Sequence, residues 1–312
     1  MLDLTRKRIL VTGGNGFLGS HIIKELRNVG VSEIISPSSK VCDLRKEENI
    51  ISLLKDEQPN VVIHCAAAVG GIGANRDNPG SFFYENLIMG TQLMEQSRLS
   101  NVEKFVAIGT ICCYPKITPV PFKEEELWSG YPDETTGYYG LAKKMLLVQS
   151  KAYRKQYGFN SIFLMPVNIY GPGDNFIGEH AHVIPALVKK FVDAKVNKSE
   201  EVICWGTGMA TREFIYADDC AKAIVMATER YNSSEPVNIG TGQEMPIKNL
   251  AEKIAECIGY SGKIVWDRTK PDCQPRRCLD VTRAKEQFGF EATTSFDDGI
   301  KRTVDWYINN NL

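Results

Sequence analysis

The order of apolar patterns predicts an α/β chain: a doubly wound parallel sheet followed by a smaller C-terminal substrate domain. Three observations carry this reading. Short apolar runs alternate with helix-spaced segments from residue 7 to residue 165, the first run ends in a glycine cluster, and beyond Pro166 the alternation loosens into glycine- and proline-marked loops. A chain of 312 residues has the length of one large domain or two unequal ones. We expect residues 1–170 to form the dinucleotide domain and 171–312 to be mainly substrate-binding. A later strand and helix, at about residues 210–240, should return to the first domain.

The elements follow in order. Residues 7–12 (KRILVT) read as a strand, and 20–29 as a helix through Ile22, Ile23 and Leu26. A strand near 33–35, a helix near 46–56 and a buried strand at 60–66 come next. A long helix at 79–99, a strand at 104–109, a helix at 138–157 and a strand at 161–165 complete the first half. Four prolines between 115 and 132 make that stretch a loop. Gly171, Pro172, Gly173, Gly178 and Pro185 mark irregular structure. Helices near 184–194, 218–231, 246–257 and 297–308 and a strand at 201–205 are expected in the remainder.

Composition narrows the function classes. The chain is 43% hydrophobic and 24% charged, with 37 basic and 38 acidic residues and a net charge of −1. That balance opposes broad electrostatic binding of nucleic acid. No apolar run reaches the ~18 residues of a membrane span, and the N-terminal segment has no secretory layout. A cytoplasmic protein is expected. The nine cysteines are odd in number and lack a CxxC pair, so reduced thiols are expected. His180 and His182 have no further ligand at metal spacing, so no metal is expected.

The glycine cluster is Gly13-Gly14-Asn15-Gly16-Phe17-Leu18-Gly19, between a strand and a helix. Such a GxxGxxG turn lets the backbone approach a pyrophosphate at a helix N-terminus, which marks a Rossmann-type dinucleotide site. NAD binders usually carry an acid at the end of the second strand. Here the segment is Ser36-Pro37-Ser38-Ser39-Lys40, whose hydroxyls and cation suit the 2′-phosphate of NADP. Asp43 and Leu44 stand where adenine could be touched.

Tyr139 and Lys143 are four apart on one helix and share a face. An ammonium ~4 Å from a phenol favours phenolate by ~4 kcal/mol at an effective dielectric of 20, enough to bring a tyrosine from ~10 to roughly 7. Tyr138 competes for the role but has Ala142 four residues on. Thr110-Ile111-Cys112-Cys113 follows a strand, where side chains face the crevice of a parallel sheet. Thr110 can bond a carbonyl oxygen, and Cys112 or Cys113 can act as a base if its thiolate is favoured.

Together these motifs resemble the extended branch of the short-chain dehydrogenases/reductases. Ala66-Ala67-Ala68-Val69-Gly70-Gly71-Ile72, Cys112-x-Tyr114-Pro115-Lys116, the stretches 170–176 and 182–187, Arg212-Glu213-Phe214, Lys270-Pro271-Asp272 and 279–283 are similar to the GDP-L-fucose synthase family over nearly the whole chain. The resemblance implies NADPH-dependent 3,5-epimerisation and C4 reduction of a GDP-linked 4-keto-6-deoxy sugar. A sister 4-reductase or 4-epimerase is the alternative. It implies Thr110, Tyr139 and Lys143 as the reductase triad, with Cys112 and His182 as epimerisation base and acid. It places Ala66, Ala67, Ala68, Pro166, Asn168 and His182 beside the cofactor, and Asn168, Lys190, Trp205, Arg212 and Arg276 or Arg277 on the nucleotide sugar. It also implies a symmetric dimer built on helices 79–99 and 138–157, with Phe82, Phe83, Met89 and Leu93 among its exposed apolar residues. Four positions depart from the family's usual residues: Gly14 in place of histidine, Thr110 in place of serine, Cys113 in place of an aliphatic residue and Lys190 in place of arginine.

Overall fold

The computed structural model describes residues 1–177, 181–270 and 274–311. His180, Pro271, Asp272, Cys273 and Gly178 lie outside the described residues. The first half runs β1 (Ile9–Thr12), α1 (Phe17–Asn28), β2 (Ile34–Ile35), α2 (Glu47–Glu57), β3 (Val61–His64), α3 (Ile72–Asp77), α4 (Pro79–Leu99), β4 (Lys104–Ile108), α5 (Gly137–Tyr157) and β5 (Ser161–Pro166). The second runs β6 (Asn168–Tyr170), α6 (Val183–Val196), β7 (Glu201–Trp205), β8 (Thr211–Tyr216), α7 (Ala217–Arg230) and β9 (Val237–Ile239). It ends with β10 (Glu244–Pro246), α8 (Ile247–Ile258), β11 (Lys263–Asp267), β12 (Arg276–Arg277), α9 (Thr282–Phe288) and α10 (Phe296–Asn311).

β1, β3, β4 and β5 are buried at every position, as parallel strands covered by helices on both faces must be. The parallel sheet has the order β2-β1-β3-β4-β5-β9. The chain leaves β1 toward β2 on one side and resumes at β3 on the other. The switch point therefore lies between β1 and β3, and opens a crevice at their carboxyl ends.

β9 joins this sheet beside β5, in the register Leu164↔Val237, after a long excursion. The expected return near 210–240 thus divides. α7 and β9 come back to the first sheet, while β8 builds a second sheet with β10 and β12, joined by β6. β7 and β11 form a separate parallel pair.

Two apolar cores result. One surrounds the large sheet and takes in Ala221 and Ile224 of α7 and Phe288 of α9. The other joins α6, α8 and α10 through Phe191, Ile254 and Val304.

Two expectations need correction. Pro185 does not mark a loop; it sits in the first turn of α6, where its missing N–H has no helical acceptor to lose. Leu93 is not on the exposed face of α4 but fully buried in the first core. Phe82 and Met89 are half-buried, and Phe83 is exposed.

Candidate active site

The glycine turn follows from β1. Gly13 has φ +72°, and a Cβ there would lie 2.8 Å from the Ala66 backbone, so only glycine lets β1 and β3 exit this close together. A Cβ at Gly19 would overlap the Gly13 carbonyl. Gly16 caps α1 without a side-chain hydrogen bond, so first-turn N–H groups near Phe17 and Leu18 face outward. Asn15 is exposed beside them.

Ser36 ends β2 directly against Gly14 and Ile23, and its hydroxyl is buried without a partner among the described residues. Ser38 turns the following loop, its carbonyl accepting from the Val41 and Cys42 N–H groups, and Lys40 is exposed. Asp43 is engaged by Arg45 through two bonds of 2.9 Å, which hold its carboxyl down at about 2. Leu44 is buried in the core. Of this stretch, Ser36 stands nearest the glycine turn.

Across the switch point, Ala66, Ala67 and Ala68 extend β3. Asn86 of α4 fixes their path: it donates to the Ala68 carbonyl at 2.8 Å and accepts from the Ala68 N–H at 3.2 Å. The Ala66 N–H is bonded to Thr12 Oγ1 at 3.3 Å. Sequence reasoning missed Asn86; its only signal was an amide within a helix expected to face the core.

Thr110 caps the short 3-10 turn Ile111–Cys113, its Oγ1 accepting from the Cys112 N–H at 3.2 Å. The Tyr139 phenol lies beside this side chain, which favours its ionised form against the effect of burial. This meeting depends on Gly140, where any Cβ would overlap the Cys112 carbonyl oxygen. Tyr139 and Lys143 lie buried on one face of α5, and Tyr138 points to solvent. Burial pushes the Tyr139 phenol up, with neighbouring thiols adding to the effect, and pulls Lys143 down to about 8. Desolvation of the phenolate thus opposes the fall toward 7 that the spacing suggested.

The adjacent cysteines separate. Cys113 is fully buried, donates its Sγ–H to the Gly140 carbonyl at 3.3 Å, and is pushed up to about 12 by burial. Cys112 keeps part of its surface exposed.

In the second half of the chain, His182 stands at the N-cap of α6 and makes no capping bond. The residue is exposed at the surface, while crowding by protein atoms lowers its pKa from the ordinary imidazole value. Lys190 donates to the Ile203 carbonyl at 3.1 Å and lies 5.8 Å from the Trp205 ring, which Lys270 approaches at 5.4 Å. Pro166 ends β5, and Asn168 opens β6 with its amide on the Glu213 carbonyl at 2.9 Å.

Register separates the two arginines that the sequence left undecided. Arg277 pairs with Arg212 and shares its face of the sheet, whereas Arg276 pairs with Thr211 and is ion-paired to Glu244 on the other face. Arg277 is anchored by Gln274 Oε1 at 2.6 Å.

Residues 9–240 match the NAD dependent epimerase/dehydratase family. The chain belongs to this family. GDP-L-fucose synthase 1 of Arabidopsis thaliana is 40% identical over 303 residues, covering 97% of this chain and 94% of the relative. GDP-L-fucose synthase of Sinorhizobium fredii is 39% identical, covering 99% and 98%. Among solved structures, a GDP-L-fucose synthetase from Naegleria fowleri bound to NADP superposes with a TM-score of 0.88 at 27% identity, covering 97% of this chain and 94% of that one.

The family's dinucleotide fits the residues present. Ser36 Oγ is a buried, unpartnered donor beside the glycine cradle. Lys143 is a buried cation with no acid paired to it among the described residues. Side chains larger than hydrogen at Gly13 and Gly19 would close the cradle. In this member of the epimerase/dehydratase family Glu213 was not legible as a hub from the sequence. Buried, it accepts from the N–H groups of Thr241 (2.5 Å), Gly242 (2.8 Å) and Leu279 (2.6 Å), tying β8 to the turns after β9 and β12.

Proposed function

We propose that this chain is an NADPH-dependent 3,5-epimerase and 4-reductase that converts GDP-4-keto-6-deoxy-D-mannose into GDP-L-fucose. The observation that carries the reading is the placing of the Thr110 hydroxyl, which caps the Cys112 turn and lies beside the buried Tyr139 phenol. Base and proton donor thereby meet on one ketone.

NADP is held by the glycine turn from Gly13 to Gly19, by Ser36, Ser38 and Lys40, by Ala66–68 and by Pro166 and Asn168. Lys143 serves its ribose. When bound, the nicotinamide supplies the hydride for C4. Asp43 and Leu44 take a lesser part, because one is bonded to Arg45 and the other is buried.

The 4-ketone acidifies the protons on C3 and C5. Cys112 removes each as a thiolate, and for each one His182 returns a proton on the opposite face. Tyr139 then protonates O4. Burial keeps Tyr139 protonated, which suits an acid working in the reductive direction. Thr110 steadies the oxygen. Arg212 and Arg277, on one sheet face, grip the diphosphate with Lys190, and Trp205 offers an exposed ring to the nucleoside.

Residues 1–170 act as the cofactor domain and 171–312 mainly as the substrate domain. The enzyme works in the cytoplasm as a homodimer. Its eight described cysteines are unpaired, as in a reducing compartment, and no described helix is long and apolar enough to cross a membrane.

Mixing the protein with NADPH and GDP-4-keto-6-deoxy-D-mannose tests the reading. NADPH absorbance should fall in proportion to sugar consumed, and NMR should identify GDP-L-fucose. An unepimerised 6-deoxy sugar would reduce the function to C4 reduction, and unchanged NADPH would overturn it.

A further inference from the structure

His21 lies on α1, one turn below the glycine loop, with its ring against Phe17 at 5.5 Å in an edge contact. The ring is nearly buried and bridges two elements. Nδ1 meets Asp218 Oδ1 of α7 at 2.5 Å, and Nε2 meets the Pro172 carbonyl at 2.9 Å. Both partners accept. Hydrogen bonds from His21 and Lys24 hold the Asp218 carboxyl down at about 2, so it stays ionised. A carbonyl has no proton to give. Only a doubly protonated ring satisfies both contacts; a neutral ring satisfies one.

Two residues beyond Pro172 lies Asp174, 9% exposed. Its Oδ1 accepts the Asn175 N–H at 2.7 Å, and its Oδ2 is buried without a partner among the described residues. Burial pushes this carboxyl up to about 7, opposed by the charge of His21. Phe176 then anchors the segment on Trp306 (5.8 Å) and Tyr307 (4.6 Å) of α10. At its other end the segment continues β6, which opens with Asn168.

We propose that His21 and Asp174 form a proton-operated latch that ties the glycine-loop helix to the segment behind Asn168, and that they act as a positioning pair for the sugar side of the site. The charged and titratable groups around the latch are Lys24 on α1, Asp218 on α7, Tyr216 at the end of β8, and Arg302 of α10, whose guanidinium lies 5.8 Å from the Tyr216 ring. With His21 protonated, both bonds hold and Pro172 is fixed. A ring with one N–H holds either Asp218 or the Pro172 carbonyl, not both.

The sign for Asp174 follows from its raised pKa. The folded state binds the extra proton from about pH 4 to about 7, so the fold loses stability as pH rises through that window. Asp174→Asn cannot titrate. Its thermal midpoint, measured without ligand, should exceed wild type by a margin that grows by roughly 3 °C or more between pH 5 and pH 8. His21→Gln removes the opposing charge and should move the wild-type pH step upward. In steady state, His21→Gln should raise KM for the sugar about tenfold, while NADPH affinity by fluorescence stays within about twofold. This last arm rests on the function proposed above; the thermal arm does not, so the two fail separately. A margin for Asp174→Asn that is equal at both pH values, or a step that His21→Gln leaves in place, would overturn the latch.

Discussion

Cys113 spends its thiol proton on the Gly140 carbonyl and is pushed up to about 12 by burial, while its neighbour Cys112 keeps an open surface. Of the two, Cys112 is therefore the cysteine proposed as the base. Cys112→Ser, with a hydroxyl too weak to serve as a base near neutral pH, should nearly stop solvent deuterium entering C3 and C5, yet leave reduction of the ketone. Tyr139→Phe should do the reverse, keeping exchange and lowering NADPH consumption by the ~10²–10⁴ of a lost acid. Cys113→Ser should change little. Exchange by NMR beside NADPH absorbance reads all three, and loss of exchange only in Cys113→Ser would reverse the choice of cysteine. Ser36 supports a second prediction. Its hydroxyl stands unpartnered against Gly14, so Ser36→Asp places a like charge where a 2′-phosphate would lie. NADPH affinity by fluorescence titration should weaken by roughly 100-fold, as expected for unit charges a few ångströms apart in a partly screened site, and NADH affinity far less. Equal weakening of both would place the 2′-phosphate elsewhere.

At the scale of elements, the approach of α5 to the Ile111–Cys113 turn decides whether Tyr139 reaches Thr110. Gly140→Ala puts a methyl into the Cys112 carbonyl, which is backbone and cannot swing aside. Reduction should fall more than about tenfold, as small displacements at a reacting centre do, with NADPH affinity nearly kept; an unchanged rate would detach the helix contact from the chemistry. Much of this architecture was readable beforehand. α4 spans Pro79–Leu99 and β7 spans Glu201–Trp205, the bounds expected for a long helix and a short strand, and β7 alternates exposed and buried positions. The short strands β6, β10 and β12 were not legible, because two or three residues carry no period and their pairing partners are distant in sequence. Glu213 escaped for the same reason: its donors lie at 241, 242 and 279. The Tyr139–Lys143 pair was legible as a pair, but the direction of its titration was not, since spacing reports proximity and not burial.

For the whole molecule, α4 and α5 leave an outward apolar face that no described element covers. Phe83, Tyr84 and Val148 are exposed there, flanked by half-buried Leu87, Ile88, Leu141 and Met145. The inward face of α5 is spent on Tyr139, Lys143, Leu146, Leu147 and Ser150. Residues 141, 145 and 148 thus share a stripe pointing away from the active site, with the spacing of a helix-packing face. A second copy applied by a two-fold axis would close α4 and α5 against their equivalents as a four-helix bundle. In such an isologous contact one substitution acts twice. Val148→Glu sets two carboxylates into the apolar centre, where an unpaired charge is costly. Light scattering at micromolar concentration should give twice the chain mass for the wild type and a single chain mass for the variant. NADPH affinity should remain within about twofold, because the cofactor residues lie on the opposite side of α5. A wild-type monomer, or a dimer that tolerates Val148→Glu, would assign this face another role.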